Sequence, residues 1–311
     1  MKVLILGAGG IGGIVGGRLV QSGADVTFLV RERRKENLIE QGLRIESPYG
    51  DATVPVTAKL KSEITSDYDL ILLTCKAYDL DSAIETIAPA VGDTTCILPI
   101  LNGIAHIEKL NERFGKNKVL GGTIKMQATL TADGRVRQLS DWQTLTFGEQ
   151  DGELSSRVTT FAAMLEKTGI NANPTEHIMR EMWMKMVHLS TVAGITCVMR
   201  ANIGEIARTP EGTNLMRKLL NRNAEIAAHA GHRPDDQFLS SYLELFATKD
   251  SKYEASMLRD LERGGQIESE QILGDMLRHC RAANLDDTIH VLAYTHVKAY
   301  EERRDADRLP S

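Results

Sequence analysis

The chain has 311 residues, of which 42% are hydrophobic and 25% are charged, and its formal net charge at pH 7 is −5. This length and composition predict a globular protein of two domains, and the slight acidity excludes a general attraction for nucleic acid or anionic membranes. The first residues, MKVLILGAGG, contain too short an apolar run for a signal peptide or a membrane span, so we expect a cytoplasmic protein.

The first half of the chain alternates between strand and helix patterns. KVLILGAG predicts a buried strand, GIVGGRLVQSG a helix that ends at a glycine, and DVTFLV a second strand. The apolar runs DLILLTCKA and CILPILNG predict further strands, with a helix over LDSAIETIAPAV between them. Nearly continuous apolar strands are typical of a parallel sheet covered on both faces, so we expect a doubly wound α/β domain of Rossmann type.

The pattern changes after about residue 120. TIKMQATLTADGRVRQL and WQTLTFGE alternate in polarity and carry a DG turn, which predicts antiparallel strands added at a sheet edge. The turn residues of NANPTEH place the domain boundary near residue 173, and only helical patterns follow. We therefore predict a Rossmann domain over residues 1–173 and an all-helical domain over residues 174–311.

Three glycines between the first strand and the first helix form a GxGxxG pattern. Gly7 would make a tight turn, Gly9 would admit a pyrophosphate, and Gly12 would let the helix pack closely on the strand. The N-terminus of a helix also favours an anion. The pattern predicts dinucleotide binding by the whole segment, which comprises Gly7, Ala8, Gly9, Gly10, Ile11 and Gly12.

The end of the second strand indicates which dinucleotide is bound. An NAD enzyme usually has an acidic residue there for the ribose 2′-hydroxyl, but this chain has Arg31 in the segment LVRERRK. A guanidinium suits a 2′-phosphate, which favours NADP. Glu32, the next residue, keeps NAD open as the alternative.

The four cysteines carry no motif. Cys75, Cys96, Cys197 and Cys280 are far apart, and no histidine lies at metal-ligand spacing from them. We therefore expect free thiols and no metal site.

Further motifs give the chain a family resemblance. With GAGGIGG, the stretches TCKAYD, LNGI, WMKMVHL and SMLRDLERGGQIE make the chain resemble the ketopantoate reductase (2-dehydropantoate 2-reductase) family over nearly its whole length. The resemblance implies NADPH-dependent reduction of a 2-oxo acid to a 2-hydroxy acid, in a cleft between a Rossmann domain and a helical domain. The family reaction, which belongs to pantothenate biosynthesis, converts 2-dehydropantoate to pantoate.

The same resemblance implies roles for individual residues. Lys185 would be the general acid, Glu268 the carboxylate that acts with it and reaches the cofactor, and Ser256 a contact of the substrate carboxylate. Lys76 and Asn102 would contact cofactor and substrate. Both also follow predicted strands directly, at the carboxyl edge where parallel sheets bind ligands.

The chain departs from the family at the substrate. Leu189 and Ala193 stand where the family has asparagines that line the substrate pocket, and Tyr253 stands where another asparagine is expected. Ser190 and Asn202 are nearby polar residues that offer a replacement. An unmade buried hydrogen bond costs about 1 to 3 kcal/mol, so the substitutions leave the reaction type in place but put the identity of the 2-oxo acid in question.

Two other functions remain open. One is a D-2-hydroxy acid dehydrogenase that acts on a bulkier, apolar 2-oxo acid, which Leu189 and Ala193 favour. The other is a non-catalytic NADPH-binding sensor, which has no need of a proton donor such as Lys185. In each case the expected ligands are small molecules, with no nucleic acid and no membrane, and the sequence leaves a homodimer open.

Overall fold

The computed structural model describes residues 1–309, which form two compact units. One unit consists of Met1–Leu101 and His106–Glu181. The other consists of the short segment Asn102–Ala105 and the chain from Met182 onward.

The strands, in chain order, are β1 (Val3–Leu6), β2 (Val26–Leu29), β3 (Leu43–Glu46), β4 (Ala52–Val54), β5 (Thr57–Lys59), β6 (Leu70–Leu73), β7 (Cys96–Pro99), β8 (Gly121–Lys125), β9 (Ala128–Leu130), β10 (Val136–Gln138), β11 (Thr144–Gly148) and β12 (Asn171–Pro174). The helices are α1 (Gly10–Gln21), α2 (Glu32–Gln41), α3 (Leu80–Ile87), α4 (Ala105–Phe114), α5 (Ser156–Glu166), α6 (Ile178–Met199), α7 (Ile203–Ala207), α8 (Gly212–His229), α9 (Asp236–Ala247), α10 (Ser256–Glu262), α11 (Asp275–Ala282) and α12 (Thr288–Asp305).

A parallel sheet in the order β5-β2-β1-β6-β7 forms the centre of the first unit. Its strands are the predicted apolar runs, and Val3, Leu4 and Ile5 of β1 have 0% of their surface exposed. β1 lies between β2 and β6, so the strand order reverses at β1. Ligands of such sheets bind at the carboxyl ends of the strands on either side of this reversal. The predicted doubly wound fold is confirmed.

A second sheet, in the order β4-β3-β10-β9, covers the outer side of α1. A Cβ atom at Gly16 would lie 2.4 Å from the Phe28 ring, and one at Gly17 would lie 2.4 Å from Ile45. Helix α1 therefore contacts the parallel sheet through one glycine and the second sheet through the other. The strands predicted around the DG turn, β9 and β10, pair antiparallel at the edge of this second sheet, as expected. Their partner, β3, pairs parallel with β10 and is not predicted by the alternation.

β8 and β11 belong to a third sheet, in the order β12-β11-β8. Val119 forms a parallel bridge with Ile97 of β7, and the Leu120 N–H donates to the Ile97 carbonyl oxygen at 2.9 Å. The chain then enters β8, which pairs antiparallel with β11. The bridge and the hydrogen bond place the start of β8 beside β7, the edge strand of the parallel sheet.

The segment NANPTEH was predicted as a turn at the domain boundary, and this is wrong for its first half. Asn171–Pro174 is strand β12, which runs parallel to β11 with Asn173 opposite Thr146. Asparagine and proline disfavour strands, but on an edge strand the missing proline N–H disturbs no second neighbour. The change of unit lies between Glu181 and Met182 rather than near residue 173.

The described part of the second unit is helical, as predicted. Its apolar core joins Leu258 and Leu261 of α10 to Ile272, Leu273 and Val297. Among the described residues one helix, α6, is long and apolar enough to cross a membrane, but 72% of the apolar window is buried inside the structure. Such burial is typical of a helix in a protein core.

Candidate active site

The turn between β1 and α1 has room for an anion. Gly7 has a φ of +94°, a left-handed value that favours glycine. A Cβ atom at Gly12 would lie 2.4 Å from the Gly7 carbonyl oxygen, whereas one at Gly9, the N-cap of α1, would meet no atom within 4 Å. The helix thus lies directly against the turn and leaves open space at its own N-terminus, where backbone N–H groups and the helix dipole favour phosphate. These residues fit the pyrophosphate of a dinucleotide.

Arg34 ties this turn to two neighbouring segments. Its guanidinium donates to the Ala8 carbonyl oxygen from Nε at 3.2 Å and from Nη2 at 2.8 Å. Its Nη1 donates to the carbonyl oxygen of Gly134, in the turn between β9 and β10, at 2.8 Å. Burial, with a smaller contribution from Arg44, lowers the pKa of Arg34 below its usual value. Arg34 therefore supports the loop and has its donors engaged by protein.

Arg31 is the N-cap residue of α2 and is exposed. Within residues 1–309, the side chains of Arg31 and Arg33 form no hydrogen bond or ion pair. Lys35, by contrast, is paired with Glu63 at 2.6 Å. Of the two basic residues after β2 whose side chains form no such bond within the described part of the chain, Arg31 is nearer to the end of the strand. In dinucleotide-binding folds, the ribose 2′-group is recognised at this strand end.

Lys76 is exposed and follows β6, at the same edge of the sheet as the glycine turn. Two residues earlier, the Thr74 hydroxyl donates to the Leu6 carbonyl oxygen at 2.9 Å. A Cβ atom at Gly12 would lie 2.5 Å from the same hydroxyl oxygen. Thr74 thus joins the end of β6 to the glycine turn. The two segments predicted to bind the cofactor, the glycine turn after β1 and the residues after β6, therefore lie together where the strand order reverses.

In the second unit, α6 is buried on all sides except one. Between Met182 and Cys197, only Lys185, His188 and Leu189 are partly exposed. Positions i, i+3 and i+4 lie on the same face of a helix, so these side chains form one stripe. We call Lys185, His188 and Leu189 the α6 stripe. It places the predicted general acid where a ligand can reach it.

Asn102 and Glu268 are brought together in the second unit. Asn102 Nδ2 donates to Glu268 Oε2 at 3.1 Å, and Glu268 is 5% exposed. Gly103, next in the chain, has a φ of +87°, and a Cβ atom there would lie 2.7 Å from the Gln271 carbonyl oxygen. Directly after Glu268 the chain forms a π-helical turn over Glu270–Gly274, a local irregularity that is frequent at functional sites. The loop after β7 therefore packs on the segment that carries the predicted carboxylate.

The predicted substrate residues are not equally accessible. Ser256 is exposed, as the first residue of α10, and Leu189 is half-buried on the α6 stripe. Ala193 is 2% exposed and packs in the helical core with Met257 and Leu258. A methyl group in that position contributes to the core of the unit rather than to an open surface.

The residues expected to replace the missing asparagines have other partners. The Ser190 hydroxyl donates to the Met186 carbonyl oxygen at 2.8 Å, and the residue is 1% exposed. Asn202 is the N-cap of α7, where its side chain accepts from the Glu205 N–H at 2.9 Å. Both side chains therefore serve helix structure.

His188 was given no role from the sequence. Its ring contacts the hydroxyl groups of Tyr242 and Tyr253, which lie 54 and 65 residues away in the chain. The spacing of three residues from Lys185 was a signal that could have found it. The tyrosine partners could not be found in this way, because nothing local connects them.

Family models match both parts of the chain. The one described as Ketopantoate reductase PanE/ApbA matches residues 3–152, and the one described as Ketopantoate reductase PanE/ApbA C terminal matches residues 177–301. The chain belongs to the ketopantoate reductase family. The resemblance found in the sequence motifs is thereby confirmed. Membership supports reduction of a 2-oxo acid by an oxidoreductase that acts on CH–OH groups with a nicotinamide nucleotide.

Individual relatives agree with this assignment. The chain is 30% identical over 304 residues to the uncharacterized oxidoreductase YkpB of Bacillus subtilis (strain 168), covering 98% of this chain and 100% of that protein. It resembles the solved structure of 2-dehydropantoate 2-reductase from Methylococcus capsulatus with a TM-score of 0.88 and 28% identity, covering 98% of each chain. D-mandelate dehydrogenase, solved with NADH and anilino(oxo)acetate, shares the fold with a TM-score of 0.87 at 22% identity, covering 98% of this chain and 99% of that one.

Proposed function

We propose that this protein reduces a 2-oxo acid to the corresponding 2-hydroxy acid with NADPH. The observation that carries the proposal is the place of Lys185 on the α6 stripe of an otherwise buried helix. Lys185 is partly exposed there, while the buried faces of the helix hold it in place. Family membership supplies the reaction class, and the position of Lys185 supplies a proton donor for it.

The chemistry requires a cation at the carbonyl oxygen. The nicotinamide would supply a hydride to the carbonyl carbon. As the carbonyl π bond breaks, negative charge develops on the oxygen, where the Lys185 ammonium would stabilise it and then transfer a proton to it, leaving a hydroxyl group and a neutral amine. Glu268, held by Asn102 at 3.1 Å, would orient the lysine and favour its charged form before the reaction.

The glycine turn, Arg31 and Lys76 would hold the cofactor. The open space at Gly9 would receive the pyrophosphate, and Arg31 would pair with the 2′-phosphate. Arg34 keeps the turn in place from behind, through the Ala8 carbonyl oxygen. The choice of NADPH over NADH therefore rests on Arg31.

We expect Arg31→Ala to weaken NADPH binding at least tenfold, about 1.4 kcal/mol, and to leave NADH binding nearly unchanged. The guanidinium would contact only the 2′-phosphate, which NADH lacks. Titration of each reduced cofactor by nicotinamide fluorescence measures both affinities. Arg34→Met is the matched control, because loosening the turn should weaken both cofactors alike. Equal losses for both cofactors in Arg31→Ala would rule out this role.

The function itself is tested by turnover. Loss of reduced-nicotinamide absorbance is followed with 2-dehydropantoate, aliphatic and aromatic 2-oxo acids, and with each cofactor. Saturable turnover of at least one 2-oxo acid supports the proposal. Tight NADPH binding without turnover of any of them would instead support the non-catalytic sensor. The cytoplasmic location and the homodimer remain predictions from the sequence.

A second candidate is a dehydrogenase for apolar 2-oxo acids, and Leu189 favours it. This side chain is half-buried one helical turn from Lys185, where the family has an amide. We expect kcat/KM for an apolar 2-oxo acid to equal or exceed that for 2-dehydropantoate, and Leu189→Asn to shift this ratio toward 2-dehydropantoate about tenfold. Ala193→Ser is the control, because its site is in the core. A clear preference of the unmodified protein for 2-dehydropantoate would contradict the expectation.

A further inference from the structure

The imidazole of His188 is held between two tyrosines. The Tyr242 hydroxyl lies 2.7 Å from Nδ1, and the Tyr253 hydroxyl lies 2.8 Å from Nε2. The three rings also contact each other, with centroid distances from His188 of 5.4 Å to Tyr242 and 5.9 Å to Tyr253. We call these residues the His188 cluster. It begins on the α6 stripe, one helical turn from Lys185.

The two tyrosines differ in their surroundings. The Tyr242 ring packs between Phe238, at a centroid distance of 4.8 Å, and Phe246, at 6.1 Å, and Phe246 is 0% exposed. Tyr253 is 36% exposed and lies three residues before the exposed Ser256. Tyr242 thus contacts Nδ1 of the imidazole from the side of the aromatic packing, and Tyr253 contacts Nε2 from the more exposed side.

The protons of the cluster follow from these surroundings. A neutral imidazole carries one N–H, so it accepts from one tyrosine and donates to the other. Within residues 1–309, the half-buried Tyr242 hydroxyl has no hydrogen-bond partner besides His188, so we assign its O–H as a donor to the imidazole. In the tautomer that this assignment selects, Tyr242 donates to Nδ1, and the Nε2–H donates to the Tyr253 oxygen. The Tyr253 O–H is left to point outward.

We propose that Tyr253 is a specificity-determining residue whose hydroxyl donates a hydrogen bond to the carboxylate of the 2-oxo acid. The proposal rests on the proposed function, which places the substrate carbonyl at Lys185. His188 connects Tyr253 to Lys185, because it lies on the α6 stripe with Lys185 and forms a 2.8 Å hydrogen bond with Tyr253. The exposed hydroxyl of Ser256 lies close by in the chain and would take part in binding the same group. The phenol thus supplies a donor where the family is expected to have an amide.

His188 and Tyr242 act as positioning residues in this arrangement. By donating to the Tyr253 oxygen, the imidazole directs the phenol proton away from itself and toward the ligand. Without Tyr242, the imidazole can take the other tautomer, accept from Tyr253 and withdraw that proton from the substrate. A bond from an uncharged hydroxyl to a carboxylate is charge-assisted and hence stronger than one to an amide oxygen.

The test compares a 2-oxo acid with its primary amide, using the acid that the unmodified protein turns over best. We expect Tyr253→Phe to lower kcat/KM for the acid about tenfold, mostly through KM, and for the amide less than threefold. Tyr253→Asn, which restores an N–H donor, should recover most of the activity with the acid. Tyr242→Phe should give a smaller loss of the same selectivity. Tyr300→Phe, which removes a 2.7 Å bond to the Gly265 carbonyl oxygen, is the matched control and should change both substrates equally little.

A binding measurement separates this proposal from the proposed function. Oxamate resembles a 2-oxo acid but is not reduced, and calorimetry gives its affinity for the protein saturated with NADP. Tenfold weaker oxamate binding by Tyr253→Phe supports the role of Tyr253 even if no 2-oxo acid is turned over. Equal losses for acid and amide, unchanged oxamate affinity in Tyr253→Phe, or no oxamate binding by the unmodified protein would each overturn it.

Discussion

Replacing Lys185 by alanine is expected to lower kcat by roughly 10² to 10⁴, with the affinity for NADPH unchanged. The ammonium would act twice in the proposed reaction, first by stabilising the charge on the carbonyl oxygen and then by giving it a proton. Both contributions belong to the transition state, so the loss falls mainly on kcat. Lys185 lies on α6, in the second unit, whereas the predicted pyrophosphate turn lies in the first unit, so cofactor binding should be spared.

Lys185→Arg is the informative comparison. A guanidinium keeps the positive charge but does not give up its proton in the working pH range. We therefore expect this variant to recover substrate binding without recovering kcat. Steady-state kinetics and cofactor titration on both variants make the test. A kcat within a few-fold of the unmodified value in Lys185→Ala would show that the lysine serves only the surface of the helix.

The free energy of unfolding is expected to fall by about 2 to 3 kcal/mol between pH 7 and pH 4.5 because of His290 alone. This residue is 3% exposed, and its Nε2 lies 2.7 Å from Asn223 Oδ1. Burial, with a smaller contribution from Arg222, lowers the pKa of His290 from 6.5 to about 4. The unfolded chain therefore takes up a proton near pH 6.5, while the folded protein does so only near pH 4, and stability is lost as the pH falls through this window.

His290→Gln isolates the effect. Glutamine keeps an N–H donor for Asn223, which in turn donates to Thr191 Oγ1 at 2.8 Å, but it does not titrate. Urea unfolding of both proteins at several pH values between 4.5 and 7 gives the difference between their free energies of unfolding. The carboxylates titrate alike in both proteins, so their contribution cancels in this difference. If the two proteins lose stability in parallel, the imidazole titrates normally and is not buried as described.

The sequence predicted most of the elements around the glycine turn because each depends on residues close together in the chain. The aliphatic run before Gly7, the glycines that follow it and the second strand before Arg31 form a βαβ unit of only about thirty residues. Asn102 and Lys76 were found for the same reason, since each follows an apolar strand directly.

Other features depend on partners far away in the chain. β10 alternates as a strand should, but its pairing with β3 joins segments about ninety residues apart, which periodicity does not reveal. Ala193 and Leu189 have the spacing of one helix face, yet Ala193 is enclosed in a core cluster that includes residues as distant in the chain as Met257 and Leu258. The sequence also offers Ser190 as a polar replacement, but a buried serine in a helix can donate its hydroxyl proton to a carbonyl oxygen of the preceding turn, as Ser190 does.

The membership of Asn102–Ala105 in the helical unit limits how such proteins can be recombined. The chain passes between the units after Leu101, after Ala105 and after Glu181, so no single junction separates them. A chimaera joined near residue 181 would set this chain's Asn102 and Gly103 against a foreign Glu268 and Gln271. Exchange of the helical unit between relatives therefore requires a second, four-residue graft of Asn102–Ala105 in the middle of the Rossmann sequence.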